Sequence, residues 1–310
     1  MTTKSVLAID AGQTKTKVRL HTPQRRDDLV FGGIDTHEAL LPQLAAVVYA
    51  AVARTGAAPD VVAAGISGLT ARDADADALL ALVADAGVRG ATLTHDSTTS
   101  FLGALGDRRG AVVASGTGVV TLAVDSRTIA RVDGWGHIMG DAGSGYWIGR
   151  EALDAVMRAY DGRGPATALT DVVTARWPDL SQAYIDLQAD DDRVRVVASF
   201  AADVARLATQ HDPVATAITG RAARELAASV ATAIGRVRTG DERFAVCAIG
   251  GVFGSRPLRE AFADAVTAGG TDAGVELVDA DGEGIDGVLS LAQLPPEHPL
   301  TVTVRQAGEV

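Results

Sequence analysis

Two stretches of this chain share one design, in which a short strand-like segment leads through a turn of glycine and threonine into a second strand-like segment. The first covers 5–20 and the second covers 110–125. Each predicts a β-hairpin, because strand-like segments on both sides of a short glycine-containing turn are typical of one. No sequence repeat of fixed period accompanies them, so the duplication is architectural. We expect two α/β domains whose hairpin tips hold a polyphosphate from both sides of a shared cleft.

The first hairpin turn, Ala-Gly-Gln-Thr-Lys at 11–15, consists of residues that leave its backbone accessible. Asp10 stands at the mouth of this turn, and the small residues let backbone N–H groups approach a ligand closely. Such N–H groups bind phosphate oxygens, and the hydroxyls of Thr14 and Thr16 add donors. The alternative is an ordinary hairpin, since Asp-x-Gly-x-Thr alone is a weak pattern.

Between the hairpins, helical and strand-like segments alternate, which indicates α/β architecture. The spacing of apolar residues predicts helices over 38–54 and 73–86, and strands over 61–67 and 91–94.

Asp96 follows the last of these strands and precedes a segment that predicts a helix, 97–105. Open α/β sheets place their chemistry at the carboxyl ends of strands, which makes Asp96 a candidate catalytic carboxylate. The alternative is that Asp96 only caps the helix, because Asp is a preferred N-cap residue.

The segment 131–151 has six glycines interleaved with tryptophan, tyrosine, histidine and aspartate. Glycine permits close backbone approach, and aromatic rings beside polar groups suit a sugar, which has apolar faces and hydroxyl edges. The alternative is a structural loop before a helix capped by Ser144. We expect His137 to be a packed loop residue, since no other histidine stands at metal-ligand spacing from it.

The remainder of the chain predicts helices over most of 151–240, then a strand within 243–255 that ends in a Gly-Gly turn. That turn would let a flat ligand lie against the backbone. A further strand over 275–278 and a last helix over 285–294 follow. Cys247 alternates inside the strand and is expected in the core.

Composition excludes several classes of function. The net charge is −11, from 28 Lys and Arg against 39 Asp and Glu, which argues against nucleic acid or an anionic membrane as partner. The single cysteine excludes an intrachain disulfide and fits a reducing compartment. No signal peptide or membrane span is apparent, so we expect a cytoplasmic protein.

Five blocks in order now resemble a known family: Ile9-Asp-Ala-Gly-Gln-Thr14, Thr94-His-Asp96, Ser115-Gly-Thr-Gly118, Gly134 to Trp147, and Ile249-Gly-Gly251. The chain resembles the N-acetylglucosamine kinases of the BadF/BadG/BcrA/BcrD-type ATPases, in the actin–hexokinase–Hsp70 superfamily. The resemblance implies an α/β, duplicated ribonuclease-H-like fold with two lobes around an ATP and sugar cleft. The expected lobes are 1–109 and 110–310, with the last helix packing back on the first lobe.

The resemblance also implies ATP and Mg²⁺ as cofactors, a small-molecule sugar as substrate, and roles for individual residues. Asp96 would be the general base and Asp10 would orient the magnesium ion. The residues expected to bind ATP are Gly12, Gln13, Thr14, Lys15, Thr16, Gly116, Thr117, Gly118, Gly250 and Gly251. The residues expected at the sugar, besides Asp96, are His37, Gly134, Trp135, Gly136 and Asp141.

Two departures from the family pattern leave the sugar open. Val119-Val120 stands where the family usually has a polar pair, and His37 is the nearest equivalent of a family asparagine. Glucosamine, N-acetylmuramic acid and neutral hexoses therefore remain alternatives to N-acetylglucosamine. The oligomeric state stays open, with a homodimer among the alternatives.

Three rival functions would also use a fold of this kind. An activator of radical dehydratases would need a pair of cysteines, and a repressor or hexokinase of the ROK type would need clustered cysteines for zinc; one cysteine argues against both. A non-catalytic sugar sensor of the same fold has no need of a base such as Asp96.

Overall fold

The computed structural model describes residues 4–268 and 274–310 and divides the chain into two compact units. The first comprises Met1–Arg109, Val124–Ile129 and Asp279–Val310, and the second comprises Gly110–Ala123 and Ala130–Val278. The carboxyl-terminal segment thus belongs to the same unit as the amino terminus.

Strands and helices alternate along most of the chain. The strands are β1 (Val6–Ala11), β2 (Lys15–His21), β3 (Arg26–Gly32), β4 (Val61–Ile66), β5 (Gly90–His95), β6 (Gly110–Ser115), β7 (Val119–Val124), β8 (Ile129–Asp133), β9 (Phe244–Ile249), β10 (Val275–Val278) and β11 (Arg305–Gly308). The α-helices are α1 (Leu40–Thr55), α2 (Ala76–Val83), α3 (Asp96–Leu105), α4 (Gly145–Tyr160), α5 (Leu169–Arg176), α6 (Leu180–Ala189), α7 (Arg193–Thr209), α8 (Pro213–Val237), α9 (Arg256–Ala268) and α10 (Gly284–Ser290).

The first unit is built on a six-stranded sheet in the order β11-β5-β4-β1-β2-β3. Strands β1, β4 and β5 run parallel, while β2, β3 and β11 are antiparallel to their neighbours. The parallel strands are almost wholly buried, which explains their continuous runs of valine, alanine, leucine and isoleucine. Their carboxyl ends share one edge, and Asp10 and Asp96 lie there.

Both predicted hairpins are confirmed, as is the predicted α/β alternation. Strands β3, β8 and β11 were missed. Strand β3 alternates between exposed and half-buried residues, and only Leu29 and Phe31 of its half-buried face are apolar and pack against the core, so its apolar signal in the sequence is short. Strand β11 has four residues and pairs with β5, far away in the chain, so no local pattern marks it.

The second unit contains a five-stranded sheet in the order β10-β9-β6-β7-β8, covered by long helices. Its core includes Phe200, Leu226, Val230 and Ile234, all less than 5% exposed. Helix α8 begins at Pro213, where Asp212 accepts hydrogen bonds from the N–H groups of the first turn. Among the described residues, no helix is long and apolar enough to cross a membrane.

Candidate active site

In the first unit, Asp10 lies near the carboxyl end of β1, opposite Gly65 of β4 and Lys17 of β2. The pKa of Asp10 is raised to about 6, chiefly by burial and also by the negative charges of Asp96 and Glu283, while Lys17 and Lys15 lower it. Asp10 therefore lies in a cluster of charges dominated by carboxylates.

Asp96 opens α3 but does not cap it. The N-cap residue is His95, whose Nδ1 lies 3.1 Å from Ser97 N. The side chain of Asp96 is 27% exposed, and its Oδ1 lies 2.8 Å from His95 Nδ1. The interpretation of Asp96 as a mere helix cap is therefore wrong, and its carboxylate stands at the edge that carries Asp10.

The first hairpin turn is supported by the chain that follows β3. The N–H of Ile34 donates to the carbonyl of Gly12 at 3.0 Å, and a methyl group at Gly33 would lie 1.9 Å from the carbonyl oxygen of Gln13. This close packing holds the turn in place. Gln13, Thr14 and Lys15 at its tip are exposed.

Thr16 behaves differently from Thr14. Its side chain is fully buried between β1 and β3, and its hydroxyl has no hydrogen-bond partner in the described residues. His37, which was expected at the sugar, lies in an exposed loop where its N–H donates to Asp35 Oδ1 at 2.8 Å.

In the second unit, the turn between β6 and β7 (Gly116–Gly118) contacts the start of α4 and lies beside the turn after β9. The N–H groups of Gly145 and Tyr146, at the start of α4, donate to the carbonyls of Gly116 and Thr117 at 2.7 and 3.1 Å. These donors would otherwise be among the unpaired N–H groups of a helix start. A methyl group at Gly116 would meet nothing within 4 Å, so this side of the turn is open.

The Gly-Gly turn after β9 lies beside the same hairpin, because β9 runs parallel to β6. Gly250 has φ +100°, and a methyl group there would lie 2.2 Å from the carbonyl oxygen of Ser115. Only glycine fits at such a position. A methyl group at Gly251 would instead meet nothing within 4 Å, so Gly251 faces open space.

The loop between β8 and α4 is organised by Asp133. Its Oδ1 accepts hydrogen bonds from the N–H groups of Gly134 at 3.0 Å and Asp141 at 2.8 Å, which closes the loop. Asp133 and Asp141 both have left-handed backbone, with φ of 63° and 61°. Ser144 caps α4 by accepting a hydrogen bond from the Trp147 N–H, a feature that the alternative interpretation of this segment included.

Asp141 is 6% exposed, and its Oδ1 has no hydrogen-bond partner in the described residues. The pKa of Asp141 is raised to about 6, chiefly by burial and also by the charge of Asp133, while the backbone N–H groups of Gly136 and Val119 and the charge of Arg131 lower it. A buried carboxylate oxygen without a donor is costly, and a hydroxyl group that donated to it would remove that cost.

The tip of the same loop is exposed and apolar, with Trp135, Ile138 and Met139 between 69% and 86% exposed. The guanidinium of Arg131 lies over the Trp135 ring, 5.9 Å from its centroid. The His137 ring packs against the Tyr146 ring, with 4.6 Å between the centroids. This agrees with the expectation that His137 is a packed loop residue.

The sequence profile of the BadF/BadG/BcrA/BcrD ATPase family matches residues 7–292, which is most of the chain. The chain belongs to this family.

Two proteins with similar sequences are named as sugar kinases. An N-acetylmuramic acid/N-acetylglucosamine kinase from Clostridium acetobutylicum is 26% identical over 269 residues, covering 80% of this chain and 85% of the relative. An N-acetyl-D-glucosamine kinase from Dictyostelium discoideum is 42% identical over 72 residues, 23% of either chain.

Solved structures agree with the fold. A protein from Chromobacterium violaceum, provisionally named an N-acetylglucosamine kinase, has a TM-score of 0.67 and 26% identity, over 93% of this chain and 98% of that one. A ROK family glucokinase from Streptomyces griseus, solved with glucose and AMPPNP, has a TM-score of 0.56 and 17% identity, over 93% and 99%. The predicted actin-like ATPase fold is thereby confirmed.

Magnesium, which the family resemblance implies, is compatible with the residues around Asp10. Among the described residues, no group of three histidine, cysteine, aspartate or glutamate side chains forms a metal cage. Mg²⁺ seldom needs one, because it keeps several waters and takes one or two carboxylates plus substrate phosphates. The carboxylate excess around Asp10 suits such a cation, which would supply charge neutralisation for a transferring phosphoryl group.

Four residues of these sites were not singled out from the sequence: Lys17, His95, Asp133 and Glu283. Lys17 and Glu283 form an ion pair at 2.6 Å, between residues 266 positions apart. No local pattern shows such a pair. Asp133 had a signal, since a lone aspartate just before the glycine-rich loop is a good turn former that bonds nearby N–H groups.

Proposed function

We propose that this protein is an ATP-dependent kinase that phosphorylates a hydroxyl of an amino sugar, with N-acetylglucosamine as the leading substrate. The observation that carries the proposal is Asp96, a partly exposed carboxylate that stands beside Asp10 and is not used as a helix cap. Family membership and the sugar-kinase relatives support it.

In this proposal, Asp96 accepts the proton of the sugar hydroxyl as the sugar oxygen bonds to the γ-phosphorus, and the bond from that phosphorus to the oxygen of ADP breaks. Phosphoryl transfer needs positioning and charge neutralisation more than covalent help from the protein. A single carboxylate within hydrogen-bond reach of the hydroxyl suffices as the base.

The proposal assigns the ATP contacts residue by residue. Thr14 and Thr117 contact phosphate oxygens, Gly251 contacts the adenosine, and Asp10 orients Mg²⁺. The open space beside Gly116 and Gly251 and the exposure of Thr14 support these roles. Cys247 is buried and forms no disulfide, which is consistent with the cytoplasmic site of action that we include in the proposal.

The proposed sugar contacts are Asp141 and the backbone of Gly134 to Gly136. Val120 lies against this loop, since a methyl group at Gly134 would be 3.3 Å from Val120 Cγ2. An apolar side chain at this place leaves N-acetylmuramic acid and glucosamine to be tested beside N-acetylglucosamine.

The test measures ADP release with ATP and Mg²⁺ across N-acetylglucosamine, N-acetylmuramic acid, glucosamine and glucose. We expect turnover with at least one amino sugar and a loss of at least ~100-fold in Asp96→Asn, the scale of general-base catalysis. Asp77→Asn is the matched control, because Asp77 is likewise in the first turn of a helix of the first unit but is exposed and outside the site.

Equal turnover in Asp96→Asn and Asp77→Asn would remove Asp96 from the mechanism. Binding of ATP and a sugar without ADP release would instead identify a sensor.

A further inference from the structure

One ring nitrogen of His95, Nδ1, contacts both the start of α3 and the proposed base, Asp96. Nδ1 lies 2.8 Å from Asp96 Oδ1, 2.9 Å from Ser97 Oγ and 3.1 Å from Ser97 N. The side chain is 18% exposed, so these contacts lie largely out of water.

The contacts with Ser97 N and Asp96 exclude one another. To accept from the Ser97 N–H, Nδ1 needs its lone pair; to approach an ionised carboxylate oxygen at 2.8 Å, it must carry a proton. A hydrogen bond to a charged group is roughly twice as strong as a neutral one, so the bond to Asp96 prevails over the bond from Ser97.

We propose that His95 is a positioning residue for Asp96: its Nδ1–H donates to Asp96 Oδ1 and fixes the carboxylate so that Oδ2 accepts the proton of the sugar hydroxyl. The proposal rests on the proposed function for the role of Asp96. The proton resides on the imidazole throughout and is not consumed in the reaction.

His298 provides a comparison within the same chain. It also stands before a helical turn (Pro299–Thr303), and its Nδ1 accepts from the Leu300 N–H at 3.2 Å, two residues on, as Nδ1 of His95 faces Ser97. Burial lowers the pKa of His298, with Asp107 opposing. His298 makes no ion pair in the described part of the chain, so its Nδ1 acts as an acceptor only.

The charged groups around the His95–Asp96 pair come from neighbouring strands and from the segment before α10. Asp10 on β1 faces Asp96, and Glu283 and Lys17 face Asp10. On β4 the residue opposite His95 is Ile66, which is apolar. On β11, Arg305 lies opposite Leu93 and donates to backbone carbonyls. Asp96 is thus the carboxylate that contacts His95.

The first test is independent of turnover. Nitrogen-15 NMR of the imidazoles at about pH 8.5, where histidine is mostly neutral, reports which ring nitrogen holds the proton. We expect His95 as the Nδ1–H tautomer and His298 as the Nε2–H tautomer, with signals assigned from His95→Asn and His298→Asn. A His95 ring with a bare Nδ1 would show that it only caps α3 and would overturn the proposal.

The second test uses turnover of the sugar accepted by the wild-type protein. We expect His95→Ala to lower kcat by about 10-fold, the cost of a misoriented catalytic group, with the KM for ATP changed less than about 2-fold. The acidic limb of the kcat–pH profile should move upward by about one pH unit, because loss of a donor to the ionised form raises the pKa of the base.

His95→Asn should return kcat to within about 3-fold, because its amide N–H can donate from nearly the place of Nδ1. His298→Ala should leave kcat and the pH profile unchanged while removing a similar cap. A His95→Ala variant with wild-type kcat and pH profile would overturn the positioning role even if the Nδ1–H tautomer is found. Absence of sugar turnover in the wild-type protein would refute the proposed function, and with it the role of His95, whatever the NMR result for the pair.

Discussion

Asp10 in the first unit is half-buried and Asp141 in the second unit is buried, and the pKa of both carboxyl groups is raised to about 6, yet their surroundings differ. Burial is the largest cause in both. For Asp10, other carboxylates also raise the pKa and lysines lower it. For Asp141, one other carboxylate, Asp133, also raises the pKa, and mainly backbone N–H groups lower it.

This difference indicates two kinds of ligand. Negative charge exceeds positive charge around Asp10, and Lys17 nearby is already paired with Glu283, so these surroundings favour a cation. Asp141 is held on left-handed backbone, and its Oδ1 has no partner among the described residues, so its surroundings favour a hydrogen-bond donor. Under the proposed function, the same pKa shift thus suits Mg²⁺ in one unit and a sugar hydroxyl in the other.

The largest expected effect is that Asp141→Asn and Asp10→Asn each change a different kinetic parameter. Asp141→Asn should raise the KM for the sugar by about 10- to 100-fold, since hydrogen bonds to charged groups contribute roughly 1.5–3 kcal/mol. Asn tolerates the left-handed backbone, so the loop should persist. Asp10→Asn should instead raise the Mg²⁺ concentration for half-maximal rate by about 10-fold.

Steady-state kinetics with sugar and Mg²⁺ varied independently measure both parameters. If both variants change the same parameter and spare the other, the assignment of different ligands to the two carboxylates is wrong.

A smaller effect is expected from the glycines that touch these carboxylates. A methyl group at Gly118 would lie 2.7 Å from Asp141 Oδ2, and one at Gly284 would lie 2.9 Å from Asp10 Oδ2. Neither glycine has left-handed backbone, so the added methyl group acts mainly by displacing the carboxylate. Gly118→Ala should raise the KM for the sugar, and Gly284→Ala the Mg²⁺ requirement, each by about 3- to 10-fold.

Gly235→Ala is the control, because a methyl group at Gly235 meets nothing within 4 Å on the exposed side of α8. It should leave both parameters unchanged. Folded Gly118→Ala and Gly284→Ala proteins with wild-type kinetics would show that neither carboxylate needs its present position.

The parts of this molecule that sequence could predict are those with a local signal. The two hairpins have strand-like segments around a short turn of glycine and threonine, and Asp10 and Asp96 stand at the carboxyl ends of buried strands. By contrast, the pair of Lys17 and Glu283 and the pairing of β11 with β5 depend on contacts between distant parts of the chain. No window of sequence contains both partners of such a contact.

His95 shows a different limit. Its position in the chain was known from the family block that includes Asp96, but a histidine before an aspartate predicts neither a cap nor an ion pair. The role follows only from the backbone of the strand–helix junction, which brings Nδ1 to Asp96 Oδ1 and Ser97 N at once. Thr16 is the converse case, since its hydroxyl was expected at phosphate and is instead buried inside the sheet.

The smallest expected effect concerns the pH dependence of stability. It tests whether burial of these two carboxyl groups makes their ionised forms destabilise the folded protein. A carboxylate whose pKa rises from 3.8 unfolded to about 6 folded favours the folded state below pH 3.8, and this contribution is lost as the pH rises through 6. Asparagine does not ionise and avoids this loss. Without ligands, which would themselves stabilise the folded state, Asp10→Asn should therefore be more stable than the wild-type protein at about pH 8.

The gain should be about 1 kcal/mol for Asp10→Asn, because the variant also loses the attraction of Lys15 and Lys17. Asp141→Asn should gain less, since its carboxylate also accepts backbone hydrogen bonds that an amide satisfies only in part. Thermal unfolding from about pH 4 to pH 8 measures both, and the advantage of each variant should vanish near pH 4. Variants that are no more stable than the wild-type protein at pH 8 would mean that neighbouring cationic and N–H groups already compensate for the burial of these carboxylates. Neither unit would then be lacking a ligand at its carboxylate, and the contrast between the metal site and the sugar site would lose its physical basis.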